Sequence, residues 1–158
     1  MQSVPASVSE VTMTELVLPS HTNALSSIFG GVIMSWIDIA AAISAQRYSK
    51  TTVVTASIDA LSFEAPVYAG WVVNLKAKVN YAGRTSVEVG VRVDAENTKT
   101  GEKFKTASAY LTFVAIDDEG KPVSVPQLIL ESEEDKRRHK EAEIRRKNRL
   151  KHKAELQK

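Results

Sequence analysis

Cysteine is absent from this sequence of 158 residues. That absence removes disulfides, thiolate metal sites and a thiol nucleophile at once. Histidine is nearly as scarce: His21, His139 and His152 stand apart, without the spacing of a metal-binding set. No metal site is expected. No uninterrupted apolar run reaches the roughly 18 residues that a membrane-spanning helix needs. The opening segment MQSVPASVSEVTMTELV has neither the basic start nor the apolar stretch of a secretory signal. The expectation is a soluble, cytoplasmic protein with no membrane span.

A large net charge is missing too. The formal balance is +2, and it is uneven: residues 131–158 carry 11 Lys and Arg against 7 Asp and Glu, whereas residues 1–130 carry 10 against 12. The basic character therefore belongs to the tail. The chain is long enough for one domain with a real core and too short for two. The expected organisation is an N-terminal extension over 1–10, a domain over 11–122, and a linker with a charged helical tail over 123–158.

What the sequence does contain is mostly extended. VTMTELVLP (11–19) alternates as a strand and is stopped by Pro19. Four further β-rich runs cover 51–63, 71–82, 85–97 and 103–117, separated by EAPVYAG, GR and TKTGE, which hold the Gly, Pro and Asn that turns require. In the run 85–97, Val87, Val89, Val91 and Val93 share one face and Glu88, Arg92 and Asp94 the other. One face of the sheet is expected to be covered and the other partly wet. DDEGKPVSVPQL reads as a turn and an exposed exit segment. The final 28 residues have only Ile144, Leu150 and Leu156 as large aliphatics, six apart, and predict a solvated helix.

Between the first two strands, HTNALSSIFGG supplies turn residues and GVIMSWIDIAAAISAQRYS a helix. Its apolar residues lie on every side, which predicts burial all round. Asp38 is the exception, the only charge between Gly31 and Gln46. A carboxylate buried there costs several kcal/mol unless it is hydrogen-bonded or hydrated. A cavity or a partner should await it.

A five-stranded antiparallel sheet wrapped around one long helix is the hotdog arrangement, an α+β fold. HTNALSSIFGGVIMSWIDIAAAISA, followed by VVTASIDALSFEAPVYAGWVV, GRTSVEVGVRVDAE and AYLTFVAID, resembles the hotdog acyl-CoA thioesterases of the YciA and brain acyl-CoA hydrolase type. The match runs from about Leu16 to Asp117, and its most specific part is N-x(5)-F-G-G-x(6)-D, Asn23 to Asp38. One departure is Ser26, where that family usually has glycine. The resemblance implies hydrolysis of a fatty acyl-CoA to carboxylate and free CoA. It implies no cofactor beyond the coenzyme A of substrate and product, and assembly into dimers and a hexameric trimer of dimers.

Thioester hydrolysis needs an oxyanion site, an activated water or nucleophile, and a place for CoA. Gly30 and Gly31 stand where the helix begins, where amide N–H groups lack intrahelical partners and the dipole favours negative charge. The plainer alternative is that two glycines only allow tight packing. Asp38 is read as general base, or as nucleophile through an anhydride; the alternative is a structural carboxylate tied to nearby donors. Asp38 follows Gly31 by two helical turns, on the same face but about 10 Å along the axis. One thioester carbon does not readily touch both, so the site is expected to be shared across a dimer of antiparallel helices.

By resemblance Asn23 is the second catalytic residue, contributed with the glycine end; His21 ranks below it. In GRTS, Arg84 suits phosphate and Thr85 and Ser86 add hydroxyls, and the resemblance places this hairpin at CoA. It also places Thr55 and Ser57 along the pantetheine channel, while Asp59 reads as structural. Lys136, Arg137 and Arg138 are candidates for the 3'-phosphate of CoA, although a solvating helix is the default for so mixed a tail. No aromatics accompany them, which argues against nucleic acid as a partner. Two rival readings stay open: a hotdog hydratase, weakened because Ile43 stands where such enzymes pair their Asp with a His, and a non-catalytic CoA-ester or nucleic-acid binding module.

Overall fold

The computed structural model describes residues 2–157. The chain runs β1 (Ser3–Pro5), β2 (Val11–Leu16), α1 (Gly30–Ser49), β3 (Thr52–Phe63), β4 (Val72–Ala82), β5 (Ser86–Glu96), β6 (Lys103–Ile116), β7 (Gln127–Ile129) and α2 (Glu133–Leu156). The main sheet has the order β2-β4-β5-β6-β3, antiparallel throughout. Strict alternation builds it: Val73, Leu75, Ala77 and Val79 of β4, Val87 to Val93 of β5, and Ala107 to Ala115 of β6 turn their odd-numbered side chains inward and are buried. Against this face lies α1, which buries Ile33, Trp36, Ile37, Ala40, Ala41, Ala45 and Tyr48.

The sheet curls around only part of that helix. Met34 and Ile39 remain 39% and 51% exposed, so the burial on every side that the sequence predicts is not reached within one chain. Phe63 of β3, an edge strand, stands half-exposed on this same inward side, in register with the buried Ala107.

Two terminal segments depart from the solvated tails that their composition suggests. β1 pairs in parallel with β7 across more than 120 residues, Val125 is buried with its N–H on the Arg84 carbonyl, and the Tyr48 hydroxyl donates to Pro126 at 2.7 Å. Three-residue strands have no periodicity to read. α2 is helical as expected, started by Ser132, whose hydroxyl accepts from the Asp135 N–H, and by three acidic residues in its first turn. It is not free in solvent. It crosses the outer face of the sheet, burying Ala142 and pairing by charge with β4, β5 and β3: Asp135 on Lys78 at 2.7 Å, Arg145 on Glu88 at 2.7 Å, and Arg149 on Asp59 at 2.7 Å. Burial alone would raise the Asp135 carboxyl, but the Lys78 ammonium and the Glu131 N–H outweigh it and hold it below the usual range. Among the described residues no helix is long and apolar enough to cross a membrane.

Candidate active site

The approach to α1 is a small hairpin held by its own polar groups. The Phe29 N–H bonds the His21 carbonyl at 3.0 Å, and the Asn23 N–H bonds the Ser27 carbonyl at 2.9 Å. The Asn23 side chain organises the tip: Oδ1 accepts the Leu25 N–H at 2.8 Å, and Nδ2 donates to the Ser27 hydroxyl at 3.0 Å. Its second amide hydrogen has no acceptor among the described residues. His21 accepts the Leu18 N–H through Nδ1 at 3.0 Å and sets its ring edge-on to Trp36. That nitrogen is committed to shaping the loop.

Ser26, where the resembling family has glycine, adopts φ +61°. A left-handed residue with a Cβ costs about 1–2 kcal/mol, of which glycine's extra chain entropy would return about half. Ser26→Gly is expected to stabilise the fold by about 0.5–1 kcal/mol, read as a raised melting temperature at fixed protein concentration. A fall in melting temperature would mean that the serine side chain supports the loop.

α1 then begins at Gly30 without a side-chain cap, and the first amides bonded back into the chain are those of Val32 and Ile33 on the Phe29 carbonyl. The Gly30 and Gly31 N–H groups have no acceptor among the described residues and stand at the positive end of the helix. A Cβ on Gly30 would stand 3.4 Å from the Phe63 ring, whereas one on Gly31 would meet nothing within 4 Å. Both are ordinary or open surroundings for a Cβ, so packing within the chain demands glycine at neither position.

Two turns on, Asp38 is half-buried and accepts the Thr55 hydroxyl at 2.8 Å through Oδ1, with no donor to Oδ2 among the described residues. α1 runs antiparallel to β3, its start beside Phe63 and Asp38 beside Thr55. Within one chain, Asp38 and the Gly31 amide stay about 10 Å apart along the axis.

Thr55 pairs with Phe113 and Phe113 with Val87, so the β4–β5 hairpin lies at the same level of the sheet, about two strand spacings or 10 Å away. In that hairpin the Gly83 N–H bonds the Ser86 carbonyl at 2.8 Å, and Arg84 is exposed with no acidic partner among the described residues.

Other sequence candidates lie elsewhere. A bulge after Thr55 shifts the register so that Ser57 falls opposite Thr112 and Glu88, the row that faces α2. The resemblance places Thr55 and Ser57 along one channel; the inserted Ala56 puts them on opposite faces of the sheet. Lys136, Arg137 and Arg138 also stand on α2, outside the sheet, and bond Glu133, Glu141 and Glu134 of their own helix. Asp59, read as structural, holds Arg149. The contact between Thr55 and Asp38 had no signature in the sequence, because 17 positions separate the two residues and only the fold joins them.

The sheet order, the single helix it curls around and the helix-start loop define the hotdog class. Comparison with known proteins agrees. The thioesterase superfamily profile matches residues 25–102. The chain is 43% identical, over 91% of its length, to the Bacillus subtilis acyl-CoA thioester hydrolase YkhA, of which it covers 86%. It spans only 37% of the longer cytosolic acyl coenzyme A thioester hydrolase of rat, to which it is 36% identical over 88% of its own length. An apo-hexameric acyl-CoA thioesterase superposes with a TM-score of 0.94 at 44% identity, covering 98% of this chain and 99% of that one. An acyl-CoA hydrolase of Staphylococcus aureus, solved with butyryl coenzyme A, coenzyme A and coenzyme A disulfide, gives 0.90 at 35% identity, covering 98% and 94%. Three mutants of that enzyme carry alanine for an asparagine, an aspartate and a threonine, spaced by fifteen and then seventeen positions. This chain belongs to the thioesterase superfamily.

Proposed function

We propose that the protein hydrolyses acyl-CoA thioesters at sites shared between two copies of the chain, Asp38 coming from one and Asn23, Gly30 and Gly31 from the other. The observation that carries this reading is the placement of Asp38 on the open apolar face of α1, one carboxylate oxygen held by Thr55 and the other free. Asn23, Asp38 and Thr55 repeat the fifteen and seventeen residue intervals of the three positions replaced in the Staphylococcus aureus enzyme. When two open faces meet with their helices antiparallel, the start of one helix comes opposite the middle of the other. The distance that separates Asp38 from its own Gly31 then brings it to the partner chain's. A trimer of such dimers follows the hexameric relative.

In this arrangement the thioester carbonyl oxygen sits at the N–H groups of the helix start and the Asn23 amide. These stabilise the negative charge that develops when the carbonyl carbon is attacked, and each such donor is worth about 2.7–4 kcal/mol. Asp38 either takes the proton of the attacking water or attacks first to give an anhydride that water opens. The C–S bond breaks, the thiolate of CoA leaves and is protonated, and the carboxylate is released. Arg84, with Thr85 and Ser86, supplies a cation and hydroxyls for CoA phosphate at the level of Thr55. Ser57, Lys136, Arg137 and Arg138 are given no part, since they face the other side of the sheet.

Release of free thiol from a panel of acyl-CoAs tests the proposal. Turnover of at least one member is expected, and no turnover of any would overturn it. Gly31→Ala tests the helix start separately. A methyl there meets nothing in the chain and suits a helix better than glycine, so stability should hold or rise. The methyl stands where the carbonyl must approach, and kcat/KM should fall by about 10²-fold, the lower range for losing an oxyanion donor. Unchanged activity would move the carbonyl away from Gly31.

A further inference from the structure

Phe63 ends β3 in register with Ala107, on the inward face shared with Thr55. Its ring atoms Cζ, Cε2 and Cε1 lie 3.4, 3.6 and 3.9 Å from where a Cβ of Gly30 would stand, so the ring is laid against the first turn of α1. A phenylalanine in such contact would ordinarily be buried, yet half of its surface is open. One turn on from Gly30, Met34 is exposed as well. An aromatic face thus stands next to the two unengaged amides that receive the carbonyl in the proposed reaction.

We infer that Phe63 is a specificity residue for the acyl carbons nearest the thioester, admitting straight chains and excluding those branched next to the carbonyl. The inference rests on the proposed thioesterase site and goes beyond it. With the carbonyl oxygen at the helix start, the second and third acyl carbons lie within a few ångströms of the amides and therefore against this ring. A methyl branch on either carbon collides with the ring, while a straight methylene chain lies flat on it. Carbons further along are beyond its reach, so chain length is read elsewhere.

The test compares kcat/KM for butyryl-CoA, hexanoyl-CoA, isobutyryl-CoA and isovaleryl-CoA in the wild type, Phe63→Ala and Phe63→Leu, with melting temperature as a control for folding. Discrimination by one methyl group is worth about 10–200-fold. Phe63→Ala should raise the ratio of branched to straight-chain kcat/KM by about tenfold or more, while the hexanoyl to butyryl ratio moves by less than about threefold. Phe63→Leu, which keeps an apolar contact with the helix, should shift the ratio in the same direction and to a smaller extent. Equal loss on all four esters, or a shift confined to hexanoyl against butyryl, would overturn the inference alone. A wild type inactive on every ester would overturn the thioesterase reading and this inference with it.

Discussion

Replacing Asp38 by asparagine is expected to lower kcat by about 10²–10⁴-fold, the range that a positioned proton acceptor supplies. The substitution preserves size, and the amide oxygen still accepts the Thr55 hydroxyl, which donates to Asp38 Oδ1 at 2.8 Å. The fold and the position of the side chain are therefore retained, and the loss is one of basicity or nucleophilicity. Free thiol release at saturating acyl-CoA measures it; near-wild-type kcat in Asp38→Asn would remove the carboxylate from the chemistry. Single turnover in oxygen-labelled water tests the nucleophilic role: label in the Asp38 carboxylate marks an anhydride that water opens at the aspartyl carbonyl, a course that general-base catalysis does not give.

The shared site has its own readout in the same residue. Asp38→Ala and Asn23→Ala chains, each inactive alone, are expected to recover about a quarter of wild-type activity when co-expressed, because half of randomly assorted dimers are mixed and one of their two sites is intact. A site contained in one chain would show no recovery.

Arg145→Ala is expected to cost about 3 kcal/mol of stability, the lower end of what breaking a buried ion pair costs. At this chain length that is a fall in melting temperature on the order of 10 °C. Two hydrogen bonds of 2.7 and 3.1 Å join Arg145 to Glu88, whose side chain is only 5% exposed, and the guanidinium lies 3.6 Å above the centre of the Tyr110 ring. Burial works against the Arg145 cation, yet Glu88 outweighs it and raises its pKa above the ordinary value. Removing the arginine leaves a carboxylate under α2 with, among the described residues, only the Asn80 amide, at 3.4 Å, to meet it. The helix can lift away and let water in, so the loss is capped by the docking energy of α2. Thermal unfolding at fixed protein concentration measures the effect. Arg137→Ala, which removes an exposed pair within the same helix, is the contrast and should change stability by less than about 0.5 kcal/mol. Equal effects of the two would mean that α2 is not held through Glu88.

The parts of the fold and site that were legible before the structure are those written in contiguous residues. Alternation of Val87 to Val93 set a strand with one covered face, and the structure covers that face with α1. The separation of Gly31 and Asp38 could be read because one helix holds both and a rise of about 1.5 Å per residue converts spacing into distance. The lone charge of Asp38 was legible for the same reason, whereas Asn23 entered through the family resemblance alone. The predicted burial around α1 was not reached, because hydropathy counts apolar side chains without saying which chain covers them.

What only the tertiary structure decided is everything that depends on a register or on residues far apart. The bulge at Ala56 sends Ser57 to the face opposite Thr55, and an alternating pattern has no sign for one inserted residue. The tail looked solvated because its contacts with the sheet are made by Asp135, Arg145 and Arg149, whose partners Lys78, Glu88 and Asp59 lie more than 50 positions away. A charge has the same identity in the sequence whether water or a carboxylate neutralises it. By itself the sequence determined the five strands of the main sheet, the central helix and the spacing of the carboxylate from the helix start, all properties of local backbone geometry. Which side of the sheet each charge faces, what holds Asp38 and what stands against Gly30 were decided by packing, because long-range contacts follow from the fold's register and not from any local period.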